Sequence, residues 1–99
     1  MNEDWQHKFA AMDRPTFEHF VAGGRKAGET AGREFLAWRD EGSGKDYKTF
    51  PNAVGAAIVS AREQMLQASA SADQIEVWTF AFREAFEPYT EGYEQLFQN

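Results

Sequence analysis

The segment GSGK at residues 42–45 is the first stretch whose residue types suggest chemistry, because glycines followed by lysine are typical of phosphate-binding loops. A P-loop also needs a glycine five residues before its Gly–Lys pair and a serine or threonine directly after it. Arg39 and Asp46 occupy those two positions, and no strand pattern precedes the segment. We therefore interpret it as part of a flexible, lysine-solubilised linker.

The same loop does not fit a calcium site. Counted from Asp40, the third and fifth positions are Gly42 and Gly44, where an EF-hand loop carries oxygen ligands. The twelfth position, which requires a bidentate glutamate, is Pro51. The spacing excludes this type of calcium loop.

Other catalytic and metal-binding patterns are also missing from the sequence. There is no cysteine, and His7 and His19 do not form the paired Glu-x-x-His motifs of helical di-metal sites. None of the four serines stands in a sequence signature of an activated nucleophile: Ser43, Ser60, Ser69 and Ser71. We therefore expect a protein that is not an enzyme and that holds no cofactor and no metal.

The acidic residues give the most specific functional indication. Residues 1–70 carry ten acidic and nine basic side chains, whereas residues 71–99 carry six acidic side chains against Arg83 alone. If a helix continues through Pro88, the last four acids form one stripe at spacings of three, four and three residues. We predict a partner-binding surface made of these acids and one aromatic residue: Asp73, Glu76, Glu84, Glu87, Tyr89, Glu91 and Glu94. The alternative interpretation is a solvated acidic face that only aids solubility.

The elements that must position these residues are helices, and the chain of 99 residues is predicted to be a single all-α domain spanning 1–99. Apolar residues recur at helical spacing from Phe17 to Trp38, from about Asn52 to Ala68, and over 72–87. Short helical segments are expected at both ends. Ser71 and Gln74 have the spacing of a capping box, and Asp13 suits a helix N-cap.

Three glycines at four-residue intervals lie largely on the inward stripe of the first long helix. Each glycine inside a helix costs about 1 kcal/mol relative to alanine, so a compensating contact is expected. A face without side chains lets a neighbouring backbone approach closely. We predict a helix-packing or oligomer contact at Gly24, Gly28, Ala31 and Gly32, with the alanine-rich second helix as its neighbour in the chain.

These observations favour two functional hypotheses over a third, an enzyme. The first is a small acidic protein-binding module that uses its C-terminal third against a basic protein surface, as inhibitors, adaptors and nucleic-acid mimics do, including those of phages. The second is a structural subunit that forms a homodimer or larger oligomer through the glycine face. The acidic charge argues against direct binding of nucleic acid. No apolar run is long enough to span a membrane, so we expect a cytoplasmic protein.

Overall fold

The computed structural model describes residues 4–40 and 49–91 and confirms the all-α class with three principal helices. The elements in chain order are α1 (Asp4–His7), α2 (Arg14–Asp40), α3 (Thr49–Gln67), α4 (Ala72–Phe86) and a 3₁₀ turn (Glu87–Thr90). No strand occurs within these two ranges. The GSGK segment lies outside the described residues.

The starts of α2 and α4 follow from local hydrogen bonding, as predicted. The Asp13 carboxylate accepts from the Thr16 backbone N–H at 3.3 Å and from its hydroxyl at 3.1 Å. At α4 the capping box is present: the Gln74 backbone N–H donates to Ser71 Oγ at 3.1 Å, and the Ser71 backbone N–H donates to Gln74 Oε1 at 2.9 Å. Side-chain oxygens thus satisfy backbone donors that a helix start leaves unpaired.

Replacing Ser71 with alanine is expected to lower the free energy of unfolding by about 1 kcal/mol, because the cap oxygen is lost while the donors stay in place. Ser60→Ala is the matched control, since Ser60 is exposed in the middle of α3 and alanine is the better helix former. Urea unfolding followed by circular dichroism measures both. Equal loss in the two variants would show that the cap contributes nothing.

The glycine face packs against α4, which makes the prediction of an α3 neighbour wrong. A Cβ added at Gly24 would lie 2.9 Å from Ala81 Cβ, and one at Gly28 would lie 3.0 Å from Ala85 Cβ. Each of these Cβ positions would also collide with an α4 carbonyl oxygen. The glycines of α2 therefore do pack against alanines, as predicted, but these alanines belong to α4 and not to α3.

The order of these contacts shows that α2 and α4 run parallel. Gly24 lies against Ala81, Gly28 lies against Ala85, and the Cβ position of Gly32 would fall on the Tyr89 ring of the 3₁₀ turn. The contacts therefore advance along both segments in the same direction. Two apolar clusters lie along this helix pair. The first contains Phe9, Val21, Val77 and Ala81, and the second contains Phe35, Val54, Phe82 and Phe86.

Helix α3 is attached to this pair far more sparsely than α2 and α4 are to each other. Its buried anchor is Val54, with Ile58 packed one turn further on. Its outer side leaves two large apolar side chains in solvent, Val59 at 54% and Leu66 at 60% exposure. The parallel pair is the most extensively packed part of the described structure, and α3 forms one wall beside it.

The α-helix does not continue through Pro88. Helix α4 ends at Phe86, and the 3₁₀ turn follows, because proline lacks an N–H and its ring clashes with the carbonyl four residues earlier. Glu91 then leaves helical geometry altogether, with φ −57° and ψ 128°. The condition for one continuous glutamate stripe is therefore not met.

Candidate functional site

Three of the predicted partner-binding acids form ion pairs with cations of the same chain. Glu76 Oε1 lies 2.8 Å from Lys8 Nζ, and Glu84 Oε1 lies 3.2 Å from Arg25 Nη2 on α2. Glu87 lies 4.0 Å from Arg83, one turn earlier on α4. Each acid faces a different cation, so the negative charge is divided among separate places along α4.

The remaining predicted acids do not join them in one surface. Asp73 is exposed in the first turn of α4, where a carboxylate is favoured by the positive end of the helix dipole. Glu91 is exposed beyond the 3₁₀ turn, and Glu94 lies outside the described residues. The acidic residues are therefore distributed over both ends of α4.

Glu84 and Tyr89 do come together, in a cleft of about 360 Å³ between α2 and the junction of α4 with the 3₁₀ turn. We call it the polar cleft. Its lining combines two glutamates, one arginine, one tyrosine and two apolar residues: Arg25, Glu29, Glu84, Ala85, Pro88 and Tyr89.

The polar cleft has an excess of negative charge. Arg25 pairs with Glu84, whose side chain is only 21% exposed. Glu29 is exposed and has no cation partner within residues 4–40 and 49–91. The half-buried Tyr89 ring adds an aromatic surface. A carboxylate beside an aromatic ring is suited to a lysine or arginine side chain, which gains both an ion pair and a cation–π contact.

A second, larger cleft lies on the other side of the glycine face, between α3 and the parallel pair. We call it the apolar groove; it measures about 440 Å³. Its α3 wall is a row of alanines at four-residue spacing, Ala53, Ala57 and Ala61. Trp78 and Phe82 of α4 form the floor.

The α2 wall of the apolar groove is partly polar. Ala27 and Ala31 line it, which places Ala31 in the groove wall beside the buried glycines. Along the rim stand Lys26, Thr30 and Glu34, one turn apart from each other. In the described part of the chain, neither Lys26 nor Glu34 has an ion-pair partner.

The glycine face itself is filled by the chain's own α4 and 3₁₀ turn. Gly24, Gly28 and Gly32 are all buried within one copy of the chain. A second copy could reach this face only by displacing α4. The homo-oligomer hypothesis thus loses the contact surface on which it rested.

Sequence reasoning missed Arg25 and Glu29 as members of the polar cleft. Arg25 and Glu84 are 59 residues apart in sequence, and no local pattern joins them. One signal was available in the sequence. Arg25 directly follows Gly24, and Glu29 directly follows Gly28. A helix that packs on the glycine face must therefore bring some of its own side chains next to Arg25 and Glu29.

Within the described residues there is no group of three or more histidine, aspartate or glutamate side chains arranged to hold a metal ion. None of the helices that the structure describes combines the length and apolarity needed to cross a lipid bilayer. Comparisons of the chain with protein-family models, curated proteins and solved structures gave no match.

Proposed function

We propose that the protein is a non-enzymatic protein-binding module whose polar cleft accepts a basic side chain of a partner protein. The observation that carries the proposal is the meeting of Glu29, Glu84 and Tyr89 in one cleft. The wider class would be that of small acidic inhibitors, adaptors or nucleic-acid mimics, phage proteins among them, acting in the cytoplasm.

The charges of the cleft support this proposal over a uniform acidic surface. An incoming arginine would pair with Glu29 and would compete with Arg25 for Glu84, while its planar group stacks on Tyr89. The remaining negative charge after residue 70 would act at longer range. Such charge speeds association with a basic partner and is screened over about 8 Å at physiological salt.

A direct test uses a hexa-arginine peptide as the probe. In ¹⁵N-resolved NMR titrations we expect the largest shift changes at the amides around Glu29, Glu84 and Tyr89, with binding that weakens as salt is raised. Glu29→Lys should reduce the affinity about tenfold, because an attractive contact with the peptide becomes a repulsive one.

Glu63→Lys is the matched control, because Glu63 is an exposed glutamate on α3 and the change in net charge is the same. If both variants weaken the peptide equally, net charge alone attracts it and the cleft has no specific role. Shift changes spread evenly over the acidic residues would also contradict the proposal.

A further inference from the structure

We propose that the apolar groove binds one amphipathic α-helix of a partner protein. The bound helix runs parallel to α2, with an acidic residue opposite Lys26 and a basic residue opposite Glu34. This site is separate from the polar cleft and does not depend on the function proposed for that cleft.

The length of the groove corresponds to several turns of a helix. The α2 wall extends from Gly23 to Glu34, which corresponds to about 17 Å or three helical turns at 1.5 Å per residue. The opposite wall carries alanine at every fourth position, so large side chains of an incoming helix can enter between the walls. Trp78 and Phe82 offer those side chains an aromatic floor. This is the geometry in which a helix docks through apolar residues at i, i+3, i+4 and i+7.

The rim charges identify the chemistry of the occupant. Lys26 and Glu34 are eight residues apart on the same wall, and within the described residues neither has an ion-pair partner, whereas Arg25 next to Lys26 does pair with Glu84. A bound helix therefore gains two ion pairs if it carries opposite charges about two turns apart.

The same charges determine the direction of the bound helix. Parallel to α2, its acidic residue lies nearer its N-terminus and its basic residue nearer its C-terminus. Both positions agree with the helix dipole, which favours carboxylates at the first turn and cations at the last. An antiparallel helix would have to place both charges against its dipole.

A second copy of the chain fits the groove less well than a partner helix. The exposed apolar residues of α3, Val59 and Leu66, lie on the side away from the alanine wall. If they entered the groove of another copy, that pair of molecules would still expose one unfilled groove and one unused apolar patch, so the contact would continue as an open chain instead of closing as a dimer.

The test uses two synthetic peptides of about 18 residues, long enough to form helix on their own. Both carry the same apolar stripe. One has glutamate near its N-terminus and lysine eight residues later, and the other has these two exchanged. By calorimetry we expect the first peptide to bind wild-type protein about 2- to 30-fold more tightly, because the exchanged peptide must either lose two exposed ion pairs or bind antiparallel with both charges against its helix dipole. Lys26→Glu combined with Glu34→Lys should reverse this preference.

Two alanine variants locate the binding. Ala57 lines the groove and Ala56 does not, and both are exposed, so each can take a phenylalanine without entering the core. Ala57→Phe should abolish binding, Ala56→Phe should preserve it, and Glu29→Lys in the polar cleft should leave it unchanged. Absence of peptide binding, equal binding of both peptides, or equal effects of the two phenylalanines would overturn the proposal. So would a dimer of the protein alone that Ala57→Phe dissociates, because the occupant would then be a second copy.

Discussion

Replacing Phe35 with alanine is expected to lower the free energy of unfolding by about 3–5 kcal/mol. The Phe35 side chain is fully buried, and it packs with Val54 of α3 and with Phe82 and Phe86 of α4. It therefore lies where all three principal helices meet. A domain of this size has a total stability of about 5–15 kcal/mol, so the variant should lie close to unfolding at room temperature.

Urea unfolding followed by far-ultraviolet circular dichroism measures this loss. Leu66→Ala is the control, because Leu66 is 60% exposed and its truncation should change stability by no more than about 0.5 kcal/mol. If Phe35→Ala were as stable as Leu66→Ala, the packing of α3 through the second apolar cluster would be wrong.

Replacing Gly28 with leucine should destabilise the protein by at least about 1–3 kcal/mol, because the side chain must push α4 away from α2. A Cβ at this position already collides with the Phe82 carbonyl oxygen and lies 3.0 Å from Ala85 Cβ. Backbone atoms of a packed helix cannot move aside as a flexible side chain can. Even Gly28→Ala should therefore destabilise, although alanine is the better helix former.

Gly23→Ala provides the control within the same helix. A Cβ at Gly23 would lie 3.5 Å from Trp78 Cδ1, an ordinary van der Waals contact, so this substitution should raise stability by about 0.4–1 kcal/mol. Denaturation midpoints of the three variants give the comparison. A Gly28→Leu variant with wild-type stability would mean that α2 and α4 are not in close contact.

The all-α class, the capping box and the Asp13 cap could be predicted from sequence because each depends on residues within a few positions of each other. The neighbour of the glycine face could not. Ala57 and Ala61 on α3 and Ala81 and Ala85 on α4 have the same four-residue spacing, so small residues alone do not distinguish the two helices. What favours α4 as the neighbour is the set of large apolar residues that flank its alanines. These residues become buried when α4 packs on the glycine face.

The candidate sites could be predicted only in part, for a similar reason. Glu84 and Tyr89 could be predicted from sequence as acidic and aromatic residues near Pro88. Their neighbours in the polar cleft, Arg25 and Glu29, come from α2 and could not. The apolar groove was not foreseen, because it exists only through the sparse attachment of α3. The ion pairs of Glu76 and Glu84 also depend on tertiary structure, and they remove the uniform acidic surface that composition suggested.

The parallel pairing of α2 with α4 has a consequence for the biosynthesis of the protein. Gly28 meets Phe82, and at about 5–20 residues per second the ribosome needs roughly 3–11 s to add the residues between them. During that interval the middle of α2 contains three glycines without the contact that offsets their helix-breaking tendency. The nascent chain therefore cannot complete its core progressively from the N-terminus. Both apolar clusters contain residues of α4, so neither can be completed before α4 has been synthesised.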